Sequence, residues 1–86
     1  MSVNFPLPTI HLNGTGLQDL RDGYKDAYYK VEEAIAALRS CGFHARDYYV
    51  QGSGAFASAS DERNKHFEEL RSTLSYLEAH MLHLYN

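Results

Sequence analysis

Arg46, Tyr48 and Tyr49 lie in a polar stretch between two apolar-periodic segments, and Arg63 and His66 sit near the start of the second segment. Tyrosine rings stack on planar groups, and a guanidinium pairs in fork geometry with phosphate or carboxylate. The set therefore matches a nucleotide-like aromatic anion. Arg63 carries most weight, because the apolar seam of the second segment, run backwards from Phe67, passes through it. A charge at an inward position needs a carboxylate, a carbonyl or a bound anion in reach. His66 sits beside it, and the positive end of a helix dipole adds to the same place. Packing accounts for the same residues in another way: the tyrosines plug the open end of a helix pair, Arg46 pairs with Asp47 or a helix carbonyl, and Arg63 makes a structural bridge.

A second polar set stands at the other end of the first segment. Asn13-Gly14-Thr15-Gly16 places two glycines beside a helix start, where open N–H groups and the dipole form a seat for an anion, with His11 one step before the turn. A turn followed by an N-cap, with a surface histidine, explains these residues without a ligand. His80 and His83, at i,i+3, lack the Glu-x-x-His motifs and inward glutamates of helical two-metal sites, so no metal is expected. Cys41, His44 and Asp47 have the types of a thiol nucleophile and its helpers. Cys41, however, falls at a helix C-terminus, where the dipole opposes thiolate formation, so no catalytic residue is expected and the chain is read as not an enzyme.

The elements that position these groups follow from hydrophobic spacing. Leu17, Leu20, Tyr24, Ala27, Val31, Ala34 and Leu38 alternate steps of three and four, which predicts an amphipathic helix over 15–41. Thr15 with Gln18 reads as a capping box at its start, and Arg39 before Gly42 as a glycine-type ending. Phe67, Leu70, Leu74, Leu77, Met81 and Leu84 predict a second helix over 58–85, capped by Ser58 and Asp61 or beginning a turn earlier from Ser53. Residues 42–57 form the connection, longer than the two to eight residues usual between paired helices. Residues 1–14, with Pro6 and Pro8, are an extended arm; Phe5, Leu7, Ile10 and Leu12 suit a surface groove. At about 45 Å extended, the arm is as long as the helix it precedes, so its own hairpin and a neighbouring subunit are both within reach. Antiparallel pairing of the seams sets Leu17 opposite Leu84, Tyr24 opposite Leu77 and Ala34 opposite Phe67. Gly23 in mid-helix reads either as a close approach or as a tolerated cost of about 1 kcal/mol.

The fold expected is thus all-α: a single domain, an antiparallel helical hairpin with an N-terminal arm. With 86 residues, two helices bury too little surface to be comfortable alone, and Tyr28 and Ile35 widen the apolar face beyond one partner. Assembly into a helix-bundle homo-oligomer follows. A net charge of -3 lacks the basic excess that duplex nucleic acid requires. One cysteine excludes an internal disulfide, and no apolar run reaches the roughly 20 residues of a membrane span. The proline-bearing start lacks a charged n-region and a cleavage site, which points to a cytoplasmic protein.

Ile10-His11-Leu12-Asn13-Gly14-Thr15, Arg46-Asp47-Tyr48-Tyr49-Val50-Gln51-Gly52 and the flanking amphipathic helices resemble a group of short uncharacterised proteins of tailed bacteriophages and prophages. The resemblance implies a viral origin and a bacterial host cytoplasm, and it brings no activity or cofactor with it. By analogy of architecture alone, small helical phage proteins act as sponges for nucleotide immune signals. Two functions are therefore expected as alternatives. One is an oligomer that sequesters a nucleotide-derived anion and blunts a host defence, using Arg46, Tyr48, Tyr49, Arg63 and His66 with His11, Asn13 and Thr15 of a neighbour. The other is a module that binds a host or phage protein through its tyrosine-rich surface.

Overall fold

The computed structural model describes residues 3–86; Met1 and Ser2 of the arm lie outside the described residues. The chain is all-helical there, with α1 over Leu17–Ser40, two single 3-10 turns at Ala45–Asp47 and Tyr49–Gln51, and α2 over Ala55–Tyr85. The rod measures 61 × 23 × 20 Å. No helix among the described residues is long and apolar enough to cross a membrane.

α1 and α2 pack against each other antiparallel, and an arginine clamps each end. Arg21 of α1 donates from Nε to the Leu84 carbonyl at 2.8 Å, with its guanidinium 4.6 Å from the Tyr85 ring centroid. Arg63 of α2 donates from Nη2 to the Leu38 carbonyl at 3.2 Å. Each helix thus supplies a cation to the other's C-terminal turn, where carbonyls lack intrahelical partners and the dipole is negative.

Between the clamps lies a thin core. Ile35, Phe67, Leu77, Ala79 and Leu84 are buried, and so is His80. Every position of the expected α2 seam is buried or half-buried. On α1 the seam shifts: Ile35 is buried where Ala34 was expected, Ala34 is exposed, and Leu17 is exposed rather than seated on Leu84. Neighbouring helix positions differ by about 100°, and the larger apolar side chain gains more by facing inward. Leu77 lies beside Leu20, Tyr24 and Ala27, in keeping with the Tyr24–Leu77 layer.

The helix boundaries differ from expectation for local reasons. α1 starts at Leu17 with Gly16 as an uncapped N-cap, and Gln18 bonds Asp22 at 2.9 Å instead of completing a box with Thr15. It ends as Cys41 turns extended, with its N–H on Leu38 O, so Gly42 serves no left-handed ending. α2 starts at Ala55, a turn before Ser58, behind an uncapped Gly54. Glycine is required at Gly52, whose φ of +122° side chains rarely adopt. A Cβ on Gly23 would meet nothing within 4 Å, which removes the close-approach reading within the chain.

The arm lies on its own α2. Phe5 stacks on His80 with centroids 5.8 Å apart and planes at 7°, and its ring is 5.1 Å from Tyr76. Farther along, His83 donates from Nε2 to the Pro8 carbonyl at 2.8 Å. Phe5 and Leu7 are half-buried, whereas Ile10 and Leu12 stay exposed.

Candidate functional site

The loop end is built around a cluster of three rings. Phe43 lies 5.6 Å from Tyr48 and 5.1 Å from Phe56, centroid to centroid, and Tyr48 lies 6.1 Å from Phe56. The cluster closes the hairpin and holds both 3-10 turns. Tyr48 is half-buried in it, as a plug, while Tyr49, the next residue, is 67% exposed and Val50 81% exposed. Successive residues of a tight turn point different ways, which is why adjacent tyrosines have different fates here.

Arg63 is already engaged. Its guanidinium sits 4.7 Å from the Phe43 centroid and 4.8 Å from that of Phe67, besides its bond to Leu38. Two aromatic faces and a helix-terminal carbonyl meet its need for a partner. A cleft of about 420 Å³ beside it is lined by Leu38, Phe43, Tyr48, Glu62, Arg63 and His66 among others. His66 is exposed, and its two ring nitrogens face Glu62 at 3.0 Å and Glu69 at 3.2 Å. The Glu62 carboxylate on this rim opposes an incoming anion, and Arg63 is already engaged, so the cleft is poorly suited to a phosphate.

Arg46 is exposed on the first 3-10 turn and makes no hydrogen bond or ion pair among the described residues. Its expected partner Asp47 instead accepts from the His44 backbone N–H at 3.1 Å. Cys41, exposed, points its thiol back to the Ala37 carbonyl at 3.6 Å.

The structure does not bring the two polar sets together within one chain. His11, Asn13 and Thr15 are exposed at the other end of α1, whose 24 residues span about 36 Å. There the Asn13 N–H donates to His11 Nδ1 at 3.3 Å, and the ring folds over Gly14 so closely that a Cβ would stand 2.9 Å from Nε2. The turn's glycine is thus covered by histidine rather than open to an anion.

Sequence reasoning passed over Val50 and the acidic flanks Glu62 and Glu69, and weighed His80 only as a metal ligand with His83, not as a packed ring. The carboxylates were signalled by their i−4 and i+3 spacing from His66. His80 is 2% exposed, stacked with Tyr24 at 4.3 Å and with Phe5 at 5.8 Å, with Tyr76 at 4.4 Å and its Nδ1–H on the Tyr76 carbonyl at 2.9 Å. Burial and the adjacent Tyr76 phenol push the Tyr24 hydroxyl above its ordinary value. Comparison of the chain with protein-family models, curated proteins and solved structures finds no match.

Proposed function

We propose that this chain is a non-enzymatic interaction module: it associates with itself into a helix bundle and presents the loop turn at Arg46, Tyr49 and Val50 to a partner protein. The exposure of Tyr49 and Val50, on a turn anchored by the Phe43–Tyr48–Phe56 cluster, carries the reading. Rings and guanidiniums held on a preformed surface lose little entropy on docking, and Tyr and Arg dominate binding hot spots. Self-association is supported by the thin core and by Leu12, Tyr29, Leu82 and Tyr85, all left to solvent. The phage-protein resemblance makes a host or phage protein in the bacterial cytoplasm the expected partner.

A second reading, capture of a nucleotide-derived anion, is favoured by the unpaired Arg46 beside Tyr49. It requires a neighbouring subunit to bring its Asn13 and Thr15 to this loop.

The test is capture on immobilised protein followed by reconstitution with the purified partner. Y49A/V50S should weaken that complex at least tenfold, with helicity and oligomer mass unchanged, and a nucleotide panel should leave the melting temperature where it is. A nucleotide that raises the melting temperature of the wild type by several degrees, but not that of Arg46→Ala, moves the conclusion to the second reading.

A further inference from the structure

All 11 Asp and Glu and all 8 Lys and Arg of the chain fall within residues 19–78. Residues 1–18 and 79–86 contain none, and the fold brings these two segments to one end of the rod: His83 bonds the Pro8 carbonyl, and Arg21 in α1 bonds the Leu84 carbonyl. Asp19, Arg21 and Asp22 mark the border of this uncharged end. Arg21 is taken up there by Leu84 and the Tyr85 ring.

The same end leaves most of the large apolar side chains to solvent. Ile10, Leu12, Leu17, Leu82 and Tyr85 are exposed there, against Tyr29, Tyr49, Val50 and Tyr76 elsewhere. Apolar side chains without charges among them have the composition of an interface core rather than of a solvated surface. Two features give the end its shape. Residues 11–14 form a reverse turn, in which the Gly14 N–H donates to the His11 carbonyl at 3.2 Å and the Asn13 N–H to His11 Nδ1 at 3.3 Å. The His11 ring folds over Gly14 and braces the turn. Leu12, at its second position, is 102% exposed and so packs against nothing of its own chain. Between the arm and the last turns of α2 lies a cleft of about 530 Å³, lined by Val3, Leu7, Ala79, Leu82, His83 and Asn86. The end thus carries one projecting leucine and one mainly apolar recess.

We infer that this uncharged end docks a second copy of the chain about a two-fold axis set between turn and cleft, with Leu12 of each copy seated in the Val3–Leu7–Leu82 cleft of the other. One knob and one recess per chain are enough, because a two-fold axis that seats one Leu12 seats the other as well. The missing charges select this occupant. A second copy of a chain with net charge -3 is repelled wherever like charges meet, and at this end none do. Nucleic acid or an anionic lipid surface finds no lysine or arginine here to pair with. The inference rests on the self-association reading above and names its surface.

The test combines sedimentation equilibrium with directed cross-linking of the full chain. The wild type should be dimeric. Leu12→Asp should dimerise at least tenfold more weakly, since a carboxylate would have to enter the cleft, while its helicity and its melting in dilute solution stay unchanged because Leu12 has no contact within the chain. For the second arm, Leu12→Cys and isotope-labelled Leu82→Cys chains, both also carrying Cys41→Ser, are mixed under a mild oxidant and resolved by mass spectrometry. The disulfide between positions 12 and 82 of different chains should form well ahead of the 12–12 and 82–82 products. If Leu12→Asp dimerises as tightly as the wild type, or if the three disulfides form at equal rates, this end is not the interface while self-association stands. A monomeric wild type overturns the inference and the self-association reading together.

Discussion

Phe67→Ala should lower the unfolding free energy by roughly 3–5 kcal/mol, the usual cost of truncating a buried phenylalanine. The residue is 5% exposed and is the only buried Phe or Tyr among the described residues. Arg39, Arg63 and Arg71 all hold their guanidiniums within 6 Å of its centroid, the nearest being Arg63 at 4.8 Å. Truncation therefore opens a cavity and also removes the surface against which three cations lie, each worth about 0.5–1 kcal/mol at exposed sites. A chain of 86 residues has a total stability of roughly 4–13 kcal/mol at the usual density per residue, so the variant should be largely unfolded under mild denaturant. Urea titration followed by far-ultraviolet circular dichroism, at one fixed protein concentration, reads the loss directly. A loss below about 1 kcal/mol would mean that the Phe67 layer contributes little to the core.

His80→Ala should cost about 2–5 kcal/mol, the range for a medium-sized buried side chain, and it should free the arm. The imidazole stacks with two rings, Tyr24 of α1 and Phe5 of the arm, with planes at 19° and 7° to it. Its Nδ1–H is satisfied by the Tyr76 carbonyl, so the buried ring carries no unmet donor there and behaves as a packing element. Without it, Phe5 loses the surface it lies on. Hydrogen exchange and limited proteolysis over residues 3–12 should both accelerate sharply, and more than in His83→Ala, which removes only an exposed bond to Pro8. Arm protection unchanged in His80→Ala would contradict this account of the stack.

The α2 seam was legible because Phe67, Leu70, Leu74, Leu77, Met81 and Leu84 are its large apolar side chains at regular spacing. Arg63 was legible for the same reason, since a charge on that seam demanded a partner and Leu38 O with two rings supplies it. Ile35 was not, because Ala34 fits the three-four arithmetic as well, and only volume decides between adjacent apolar residues. Ala79 and His80 fall outside the α2 seam; Phe5 covers His80, and Val3 and Leu7 lie beside Ala79. A segment reaching them from more than seventy residues away leaves no periodic trace. At the loop end, residue types identified Tyr48 and Tyr49 alike. Their separation into plug and exposed ring depends on turn geometry and on Phe43 and Phe56, which pattern alone does not position.

The most direct measurement is the mass of the wild-type protein in solution, by light scattering at micromolar concentration. The account predicts at least twice the chain mass of 9.8 kDa, falling toward the monomer on dilution as a weakly held bundle requires. A mass that stays at the single-chain value across the concentration range would contradict it.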